Sequence, residues 1–364
     1  MTNHLIVRGA PQEYICHEGA WATLPTHLTR RKIKKLLILH GNDSWEAAKP
    51  YFPDLKNFEI TFEYYGGICT DTRVQELLTL FQEIDAEAIL AVGGGKISDL
   101  AKQTAHQLRC PVLILPTLAS TCAAYTPLSV MYFEDGSMDR FDIFPQANAL
   151  VLIEPAVILS SPRKLLIAGI ADTLAKWYEG DAIIRQLDSL PVEVQVAYFA
   201  AKNCRDNLLT FSNDALKAME TKQINEAFLT VIETNILLAG MVGGFGDEYG
   251  RTAGAHSIHD AITMIPESHH QLHGYKVAYG IFVQLVIEGN LTEIEQLLPF
   301  YHELGLPTCL ADMNMSFSEE DFQRVAKRAT IPEESIHLLA QEISPDVVVQ
   351  AMKQLEELMK DTTH

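Results

Sequence analysis

The sequence predicts an α/β domain with a parallel sheet over residues 1–160, followed by an all-α domain over residues 161–364. In the first region, short apolar runs alternate with helical stretches, and strands that alternate with helices form parallel sheets with helices on both faces. From about Ser160 onward, apolar residues recur at helical spacing and no convincing strand follows. The chain is long enough to bury a sizeable core in two such domains.

Four apolar runs predict the buried strands of the first domain. They are KKLLILHG (from Lys34), AEAILAVGGG, CPVLILPT and ALVLIEP. The first run leads into GNDSWEAAKPYF, whose polar residues can cap a helix. The second run leads through three glycines into KISDLAKQTAHQL, which predicts a strand, a glycine turn and a helix in succession.

Four segments predict the helices of the second domain. The first of them opens with serine and proline, which is typical of a helix start. The segments are SSPRKLLIAGIADTLAKWYEGDAIIRQL, PVEVQVAYFAAKNCRDNLLTF, INEAFLTVIETNILLAGMVGG and YGIFVQLVIEGNLTEIEQLLPFYHELG.

Composition and charge exclude several classes of partner. The net charge of −19 repels nucleic-acid phosphate and anionic lipid, so neither is an expected partner. No apolar run approaches the roughly 20 residues that span a bilayer, and the N-terminus lacks the pattern of a signal peptide. The six cysteines include no CxxC pair, which favours reduced thiols and a cytoplasmic location.

The glycine turn AVGGGKISD is a candidate phosphate site. Glycines let the backbone approach a phosphate closely, and the N-terminus of the following helix attracts the anion. Lys96 follows the turn directly, and Asp99 lies in the first helical turn. A second loop, LPTLASTCAAYTPLS, leaves another strand end, and ligands of open α/β sheets bind where two such loops face each other. The alternative is a tight turn that needs glycine only for a positive φ.

The stretch GAHSIHDAITMIPESHHQLHGYKVAYG holds five of the thirteen histidines. His256 and His259 are spaced so that one helical face can carry both. A metal site would need a further ligand, preferably a carboxylate, and Asp172 has an apolar setting that is unusual for a free carboxylate. Unpaired burial there would cost several kcal/mol, which favours a cation partner. The alternative is that the histidines are ordinary surface residues.

Taken together, GGGKISD, LPTLASTCAAYTPLSVMY, LLIAGIADTLAKWYE and AHSIHDAITMIPESHHQLHGYKVAYG resemble the metal-dependent, group III (iron-containing) alcohol dehydrogenases. Within that family the sequence resembles the glycerol dehydrogenase-like branch, and most of all its hydroxycarboxylate dehydrogenases. The resemblance covers about residues 30–300. It implies a Rossmann-like domain followed by a helical domain, as in the dehydroquinate synthase-like fold, and a homo-oligomer.

The resemblance also implies a role for each histidine. Asp172, His256 and His273 would hold one divalent metal, Zn²⁺ or Fe²⁺, with water or substrate in a fourth position. His259 would lie behind the ligands or face the cofactor, and it is one candidate donor of the final proton; water is the other. The remaining two, His269 and His270, would lie at the pocket rim or in solvent.

A nicotinamide dinucleotide is the cofactor that the resemblance implies. Its pyrophosphate would lie on the turn at Gly94 and Gly95 and on the helix that starts near Lys96, with Asp99 close by. Further residues would surround the adenine and the nicotinamide. These are Thr117, Leu118, Ser120, Thr126, Leu128 and Tyr132.

Three positions depart from the family pattern. Lys176 stands where several members carry a further metal-binding histidine. An ammonium beside a metal ion is unfavourable unless an anion lies between them, and a substrate carboxylate would be such an anion. Alternatively, Lys176 turns to another acid such as Glu179. Arg251 is a weaker candidate for the same contact. Cys122 replaces an aspartate that contacts polyol hydroxyls, which disfavours glycerol; alternatively the thiol only fills space.

The third departure concerns the cofactor. Relatives that use NAD end the second strand with an acid that binds the ribose 2′-hydroxyl, and here the matching residue is Gly41. Its absence favours NADP(H) over NAD(H). Asp43 lies two residues further on and could take over the ribose contact.

The sequence therefore predicts a metal-dependent oxidoreductase that transfers hydride between NAD(P)H and a small carbonyl or alcohol substrate. Reduction of a 2-oxo acid to a 2-hydroxy acid fits best. The alternatives are a glycerol or polyol dehydrogenase that uses NAD, a dehydroquinate synthase-like lyase, and a non-enzymatic metal or nucleotide sensor. The lyase would need a glutamate ligand and more basic residues, and the sensor is disfavoured because all three ligands remain.

Overall fold

The computed structural model describes residues 5–361. Its main sheet has six parallel strands in the order β1-β8-β5-β4-β2-β3, and a separate antiparallel pair joins β6 to β7. The strands are β1 (Tyr14–Cys16), β2 (Lys35–His40), β3 (Glu59–Tyr64), β4 (Ala88–Gly93), β5 (Val112–Pro116), β6 (Leu128–Tyr132), β7 (Met138–Ile143) and β8 (Leu150–Ile153).

The central strands are the four that the apolar runs predict. β4, β5 and β8 are buried along their whole length, because helices cover both faces of a parallel sheet. In the register of β4 and β5, Gly93 lies opposite Pro116. The glycine turn after β4 and the long loop after β5 therefore leave the sheet side by side.

Helices account for most of the remaining described residues. The first four lie between strands in the chain, and the rest follow the last strand. They are α1 (Leu24–Arg30), α2 (Asn42–Ala48), α3 (Asp71–Glu83), α4 (Gly95–Leu108), α5 (Pro155–Leu159), α6 (Arg163–Ile184), α7 (Val192–Thr221), α8 (Glu226–Glu233), α9 (Ala239–Gly246), α10 (Gly254–Ile262), α11 (His273–Ile287), α12 (Leu291–Leu304), α13 (Glu319–Ala329) and α14 (Pro345–Asp361).

The described residues divide into two compact units. The sheet unit comprises residues 8–166 and 214–240, and the helical unit comprises residues 5–7, 167–213 and 241–361. Residues 214–240 belong to the sheet unit, and the start of α9 packs against the loop after β5. A Cβ at Gly240 would lie 2.2 Å from the ring of Tyr125. The single domain boundary predicted at residue 160 stays a prediction. The local sequence pattern does not reveal that each unit is built from segments that are separated along the chain.

One helical segment corrects an expectation about apolar length. The run Glu226–Tyr249, which contains a π-helical turn at Thr234–Leu238, is long and apolar enough by length and composition to cross a membrane, with a mean hydropathy of 1.6. The expectation that no run approaches that length was wrong. More than half of the apolar window, 56%, is buried inside the protein, which is typical of a core helix.

Candidate functional site

Helix α6 carries Asp172 into the interior of the helical unit. Ile170, Ala171 and Leu174 beside it are fully buried, and Asp172 itself is only 5% exposed. A buried carboxylate with no partner would be strongly destabilising. The partners of Asp172 come from α10 and α11.

Two glycines of α11 let that helix approach its neighbours. A Cβ at Gly274 would lie 1.8 Å from the carbonyl oxygen of Ala168, and one at Gly280 would lie 2.3 Å from that of Ala255. Since Ala168 lies one turn before Asp172 and Ala255 precedes His256, these contacts bring α11 against both ligand-bearing helices. His273, the first residue of α11, is thereby held beside Asp172.

Asp172, His256 and His273 converge on one point. Oδ1 of Asp172 lies 3.2 Å from Nε2 of His256 and 3.1 Å from Nε2 of His273. All three candidate ligand atoms lie within 4.8 Å of one another. Ligand atoms around one tetrahedral zinc ion, each about 2.0–2.1 Å from it, lie roughly 3.3 Å apart. The donor set and its spacing therefore fit a divalent cation such as Zn²⁺ or Fe²⁺.

Glu179 fixes the orientation of His256. Its Oε2 lies 2.6 Å from Nδ1 of His256, and its Oε1 accepts the backbone N–H groups of Ala253 and His256 at 2.7 and 2.9 Å. Glu179 is only 1% exposed. A carboxylate on Nδ1 leaves the lone pair of Nε2 for a metal, which is the usual arrangement behind ligating histidines.

The electrostatics of this cluster stabilise positive charge at His256. Burial acts to lower the pKa of His256, but Glu179 and Asp172 outweigh it and raise the pKa to about 10. Burial likewise opposes ionisation of Asp172, yet His273 and His256 hold the pKa of that carboxyl well below its usual range. A divalent cation at Nε2 would supply the same positive charge in place of a proton.

His259 lies beside His273 and supports it from behind. Its Nε2 is 2.9 Å from Nδ1 of His273, and its Nδ1 is 2.8 Å from Oδ1 of Asp260. Burial, together with the electrostatic effects of His273 and Lys276, holds the pKa of His259 well below its usual range. A neutral His259 donates from Nδ1 to Asp260 and accepts at Nε2 from the Nδ1–H of His273. His273 then carries its lone pair on Nε2, the atom that faces Asp172.

The other two histidines of the stretch lie apart from this cluster. His269 and His270 belong to an exposed 3₁₀ turn, Pro266–His270, and Nε2 of His269 is 2.9 Å from the carbonyl oxygen of Thr263. Their position agrees with the predicted rim or solvent location. His273 is the most exposed member of the cluster, with 41% of its side chain accessible, so the candidate metal centre opens on that side.

Lys176 follows Asp172 by one helical turn, on the same face of α6. Its Nζ donates to the carbonyl oxygen of Arg251 at 3.1 Å, and Nη2 of Arg251 contacts Oδ1 of Asp247 at 3.0 Å. Burial acts to raise the pKa of Glu179, but His256 and, to a smaller extent, the charge of Lys176 outweigh it and lower the pKa. The ammonium of Lys176 therefore contacts the backbone of Arg251, and its charge acts on Glu179 and His256 beside the candidate metal centre.

The glycine turn of the sheet unit is shaped by close packing. A Cβ at Gly93 would lie 2.2 Å from Cδ1 of Ile97, and one at Gly94 would lie 2.9 Å from Cδ1 of Leu118. None of the three glycines has a positive φ, so close approach is what requires glycine here. Gly94 caps α4 and Gly95 begins it, so the N–H groups of the first turn of a 14-residue helix stand at this turn.

The loop after β5 lies against this turn. The N–H of Thr117 donates to the carbonyl oxygen of Gly93 at 3.1 Å. Thr117 is buried, whereas the other predicted contact residues of this region are partly exposed and can meet a ligand. Those residues are Leu118, Ser120, Cys122, Thr126, Leu128 and Tyr132, and Nζ of Lys96 lies 5.4 Å from the ring centre of Tyr132.

Asp99 and Gly41 differ in their surroundings from the other predicted cofactor residues. Asp99 is 6% exposed, and its carboxylate contacts Nζ of Lys102 at 2.9 Å and the N–H of Val130 at 3.2 Å. It therefore stabilises the fold from the interior, and its contact with a cofactor stays a prediction. Gly41 follows β2 and caps α2, with no acid at its position, and the exposed Asp43 lies in the first turn of α2.

Two carboxylates of the site were not predicted in their present roles. The sequence indicates Glu179 only as a partner for Lys176, and it indicates no role for Asp260. The spacing of seven residues between Asp172 and Glu179, two helical turns on one face, is a signal that could have found the first. Asp260 follows His259 directly in the chain, and only the fold shows that it accepts from that ring.

The sequence of this chain is similar to those of known oxidoreductases over most of its length. The iron-containing alcohol dehydrogenase family pattern matches residues 11–154. Hydroxycarboxylate dehydrogenase A of Escherichia coli (strain K12) is 36% identical over 356 residues, which cover 97% of this chain and 98% of that protein. The chain belongs to the iron-containing alcohol dehydrogenase family. It is therefore an oxidoreductase, and the resemblance stated from its motifs is confirmed.

Two further relatives of this chain are a glycerol dehydrogenase and a probable glycerol dehydrogenase by name. That of Thermotoga maritima is 31% identical over 354 residues, covering 94% of each chain. The crystal structure of a probable glycerol dehydrogenase from Sinorhizobium meliloti 1021 has a TM-score of 0.88 and 28% identity, and covers 97% of this chain and 98% of that one. The predicted fold class is confirmed.

Proposed function

We propose that this member of the family reduces a 2-oxo acid to a 2-hydroxy acid with hydride from NADPH. The observation that carries the proposal is the convergence of Asp172, His256 and His273 within ligand distance of one point. The ammonium of Lys176, one helical turn from Asp172, and Arg251, whose backbone it contacts, support an anionic substrate. The 36% identity to a protein named hydroxycarboxylate dehydrogenase A points the same way.

Asp172, His256 and His273 would hold the divalent cation. When bound, it supplies Lewis-acid stabilisation of the negative charge that develops on the carbonyl oxygen, which contributes several kcal/mol. Glu179 and the pair of His259 and Asp260 keep both imidazoles in the tautomer that binds metal. Lys176 and Arg251 would bind the substrate carboxylate and orient the carbonyl carbon toward the hydride donor.

The dinucleotide would use the backbone of the sheet unit. The N–H groups at the start of α4 would bind the pyrophosphate, as helix N-termini after glycine turns do. Lys96 adds a positive charge there. The partly exposed residues of the loop after β5 would contact the bases and the nicotinamide ribose.

A substrate survey tests this function. NADPH oxidation is measured with 2-oxo acids, uncharged aldehydes and ketones, in zinc, in ferrous iron and with a chelator, and NAD reduction is measured with glycerol and other polyols. The highest kcat/KM is expected with a 2-oxo acid, and the chelator should abolish it. If glycerol with NAD gives the highest value, the protein is instead a polyol dehydrogenase, the alternative that its named relatives favour.

Lys176→Met should raise KM for 2-oxo acids by about tenfold while changing KM for uncharged aldehydes little, because a charge-assisted contact contributes roughly 1.5–3 kcal/mol. The matched control is Lys202→Met, an exposed lysine of α7 that pairs with Asp206. KM is measured for both substrate classes on each variant. Equal changes for charged and uncharged substrates would show that Lys176 does not bind the carboxylate.

Gly41→Asp should lower kcat/KM for NADPH by about tenfold or more relative to NADH, since a carboxylate at the end of β2 repels a 2′-phosphate. Gly41→Asn is the matched control. It creates the same crowding, in which a Cβ would lie 3.1 Å from Oγ of Ser44, without the charge. A wild-type protein that prefers NADH, or an aspartate variant that behaves like the asparagine variant, would refute the interpretation of Gly41.

Glu179→Gln should weaken the affinity for Zn²⁺ by about 10- to 100-fold, the usual effect of losing the carboxylate behind a ligating histidine. Affinity is measured by competition with a chromogenic chelator. Glu303→Gln, an exposed position on α12, serves as the control. Unchanged affinity in the Glu179 variant would mean that its hydrogen bond to His256 does not prepare that ring for metal.

A further inference from the structure

The loop after β5, residues 117–127, has little regular structure of its own. Within it, the N–H groups of Tyr125 and Thr126 donate to the carbonyl oxygen of Cys122. A loop of this length and composition would ordinarily adopt many conformations. Its shape is set instead by buried side chains from three other elements.

Lys102 is the first of these side chains. It lies two turns into α4, with 1% of its side chain exposed. Its Nζ donates to the carbonyl oxygens of Ala123 at 2.6 Å and Thr126 at 3.1 Å, and also to that of Leu128. Asp99 balances the charge at 2.9 Å. Burying an ammonium costs several kcal/mol unless its donors are all satisfied, and here the loop backbone satisfies them.

Two buried asparagines complete the arrangement. Nδ2 of Asn148, just before β8, donates to the carbonyl oxygens of Ala124 and Tyr125 at 3.0 and 3.3 Å. Nδ2 of Asn235, in the π-helical turn, donates to that of Ala119 at 2.9 Å. Both asparagines are at most 2% exposed. Together with Lys102 they bind carbonyl groups of the loop between Ala119 and Thr126 from the interior side.

This arrangement has a consequence for the outer surface of the loop. Because its carbonyl groups are held inward, the partly exposed side chains of the loop are fixed in one orientation beside the glycine turn. Lys102 also belongs to α4, the helix whose first turn forms that turn. One buried ammonium therefore links the candidate pyrophosphate site to the loop that borders it.

We propose that Lys102, Asn148 and Asn235 are positioning residues for the dinucleotide: they hold the loop after β5 in its binding conformation before the cofactor arrives. The inference rests on the proposed function, since it concerns the cofactor named there. Preorganisation of this kind raises affinity because the loop is already ordered in the free protein, so that binding loses less conformational entropy. None of the three side chains needs to touch the cofactor.

The test compares Lys102→Met, Asn148→Leu and Asn235→Leu with Thr104→Val. Thr104 is equally buried on α4, but its hydroxyl donates within the helix, to Leu100 at 2.8 Å. Dissociation constants for NADPH and NADH are measured from nicotinamide fluorescence below the melting temperature of each variant. Zinc content and KM for the carbonyl substrate are measured on the same samples.

The three positioning variants should raise the dissociation constant of NADPH by about tenfold or more, with zinc content and KM for the carbonyl substrate unchanged. Thr104→Val should lower only the melting temperature. The asparagine variants, which leave no buried charge unpaired, keep the test decisive if Lys102→Met does not fold. Folded variants that bind NADPH as tightly as the wild type would overturn the inference. A wild type that binds neither NADPH nor NADH would instead overturn the proposed function.

Discussion

Asp172→Ala should abolish the bound divalent cation and lower kcat by roughly 10³-fold or more, the largest effect expected of any single substitution. The carboxylate is the meeting point of His256 and His273, at 3.2 and 3.1 Å. Without it, two imidazoles remain, which is too few ligands for a stable site. Loss of Lewis-acid stabilisation worth several kcal/mol corresponds to this drop in rate.

Metal content by mass spectrometry and kcat with a 2-oxo acid are measured on the same preparation of the Asp172 variant. Asp188→Ala, an exposed carboxylate of the same unit, should keep both values. His256→Ala should behave like Asp172→Ala. A variant of either ligand that has lost its metal and turns over at the wild-type rate would refute the Lewis-acid role.

Gly274→Ala should cost about 3 kcal/mol or more of folding free energy and also remove the metal. The added methyl group would lie 1.8 Å from the carbonyl oxygen of Ala168. Backbone cannot give way as a flexible side chain does, so α11 must move off α6, and overpacking of this kind is strongly destabilising. His273 would move with the helix, away from Asp172.

Gly180→Ala is the matched control for this effect. It lies on α6, and its added Cβ would make ordinary contact with Ala201 at 3.8 Å. Because alanine favours a helix over glycine by about 1 kcal/mol, this variant should be as stable as the wild type or more so. Chemical denaturation and zinc affinity are measured for both variants. A Gly274 variant with wild-type zinc affinity would show that close approach of α11 is not needed to form the site.

The part of the fold that the sequence predicts is the part where burial dominates. The runs that form β2, β4, β5 and β8 are apolar because helices cover both faces. β1 was missed because it has only three residues, and β3 because EITFEY lies at the sheet edge with half-exposed side chains. The β6–β7 pair was also missed, since its residues are mixed and mostly half-buried.

Other features of the fold depend on single residues that interrupt a regular pattern. The last predicted helical segment, from Tyr279 to Gly305, is two helices, because Gly289 takes a positive φ of 72° after α11. The local pattern indicates only Asp172 and the pair of His256 and His259 as candidates, and the full ligand set is implied by the resemblance. Their spacing cannot reveal that His259 meets His273 across 14 residues, or that Glu179 and Asp260 stand behind the rings, because these contacts exist only after α6, α10 and α11 pack.

The central claim is that Asp172, His256 and His273 bind one divalent cation. Anomalous X-ray diffraction at the zinc edge, on crystals grown with one equivalent of Zn²⁺, tests it directly. We expect a single strong anomalous peak about 2.0–2.2 Å from a carboxylate oxygen of Asp172 and from Nε2 of both histidines. A crystal in which zinc lies elsewhere, for example on the exposed pair His269 and His270, and leaves Asp172 without an ion would contradict it.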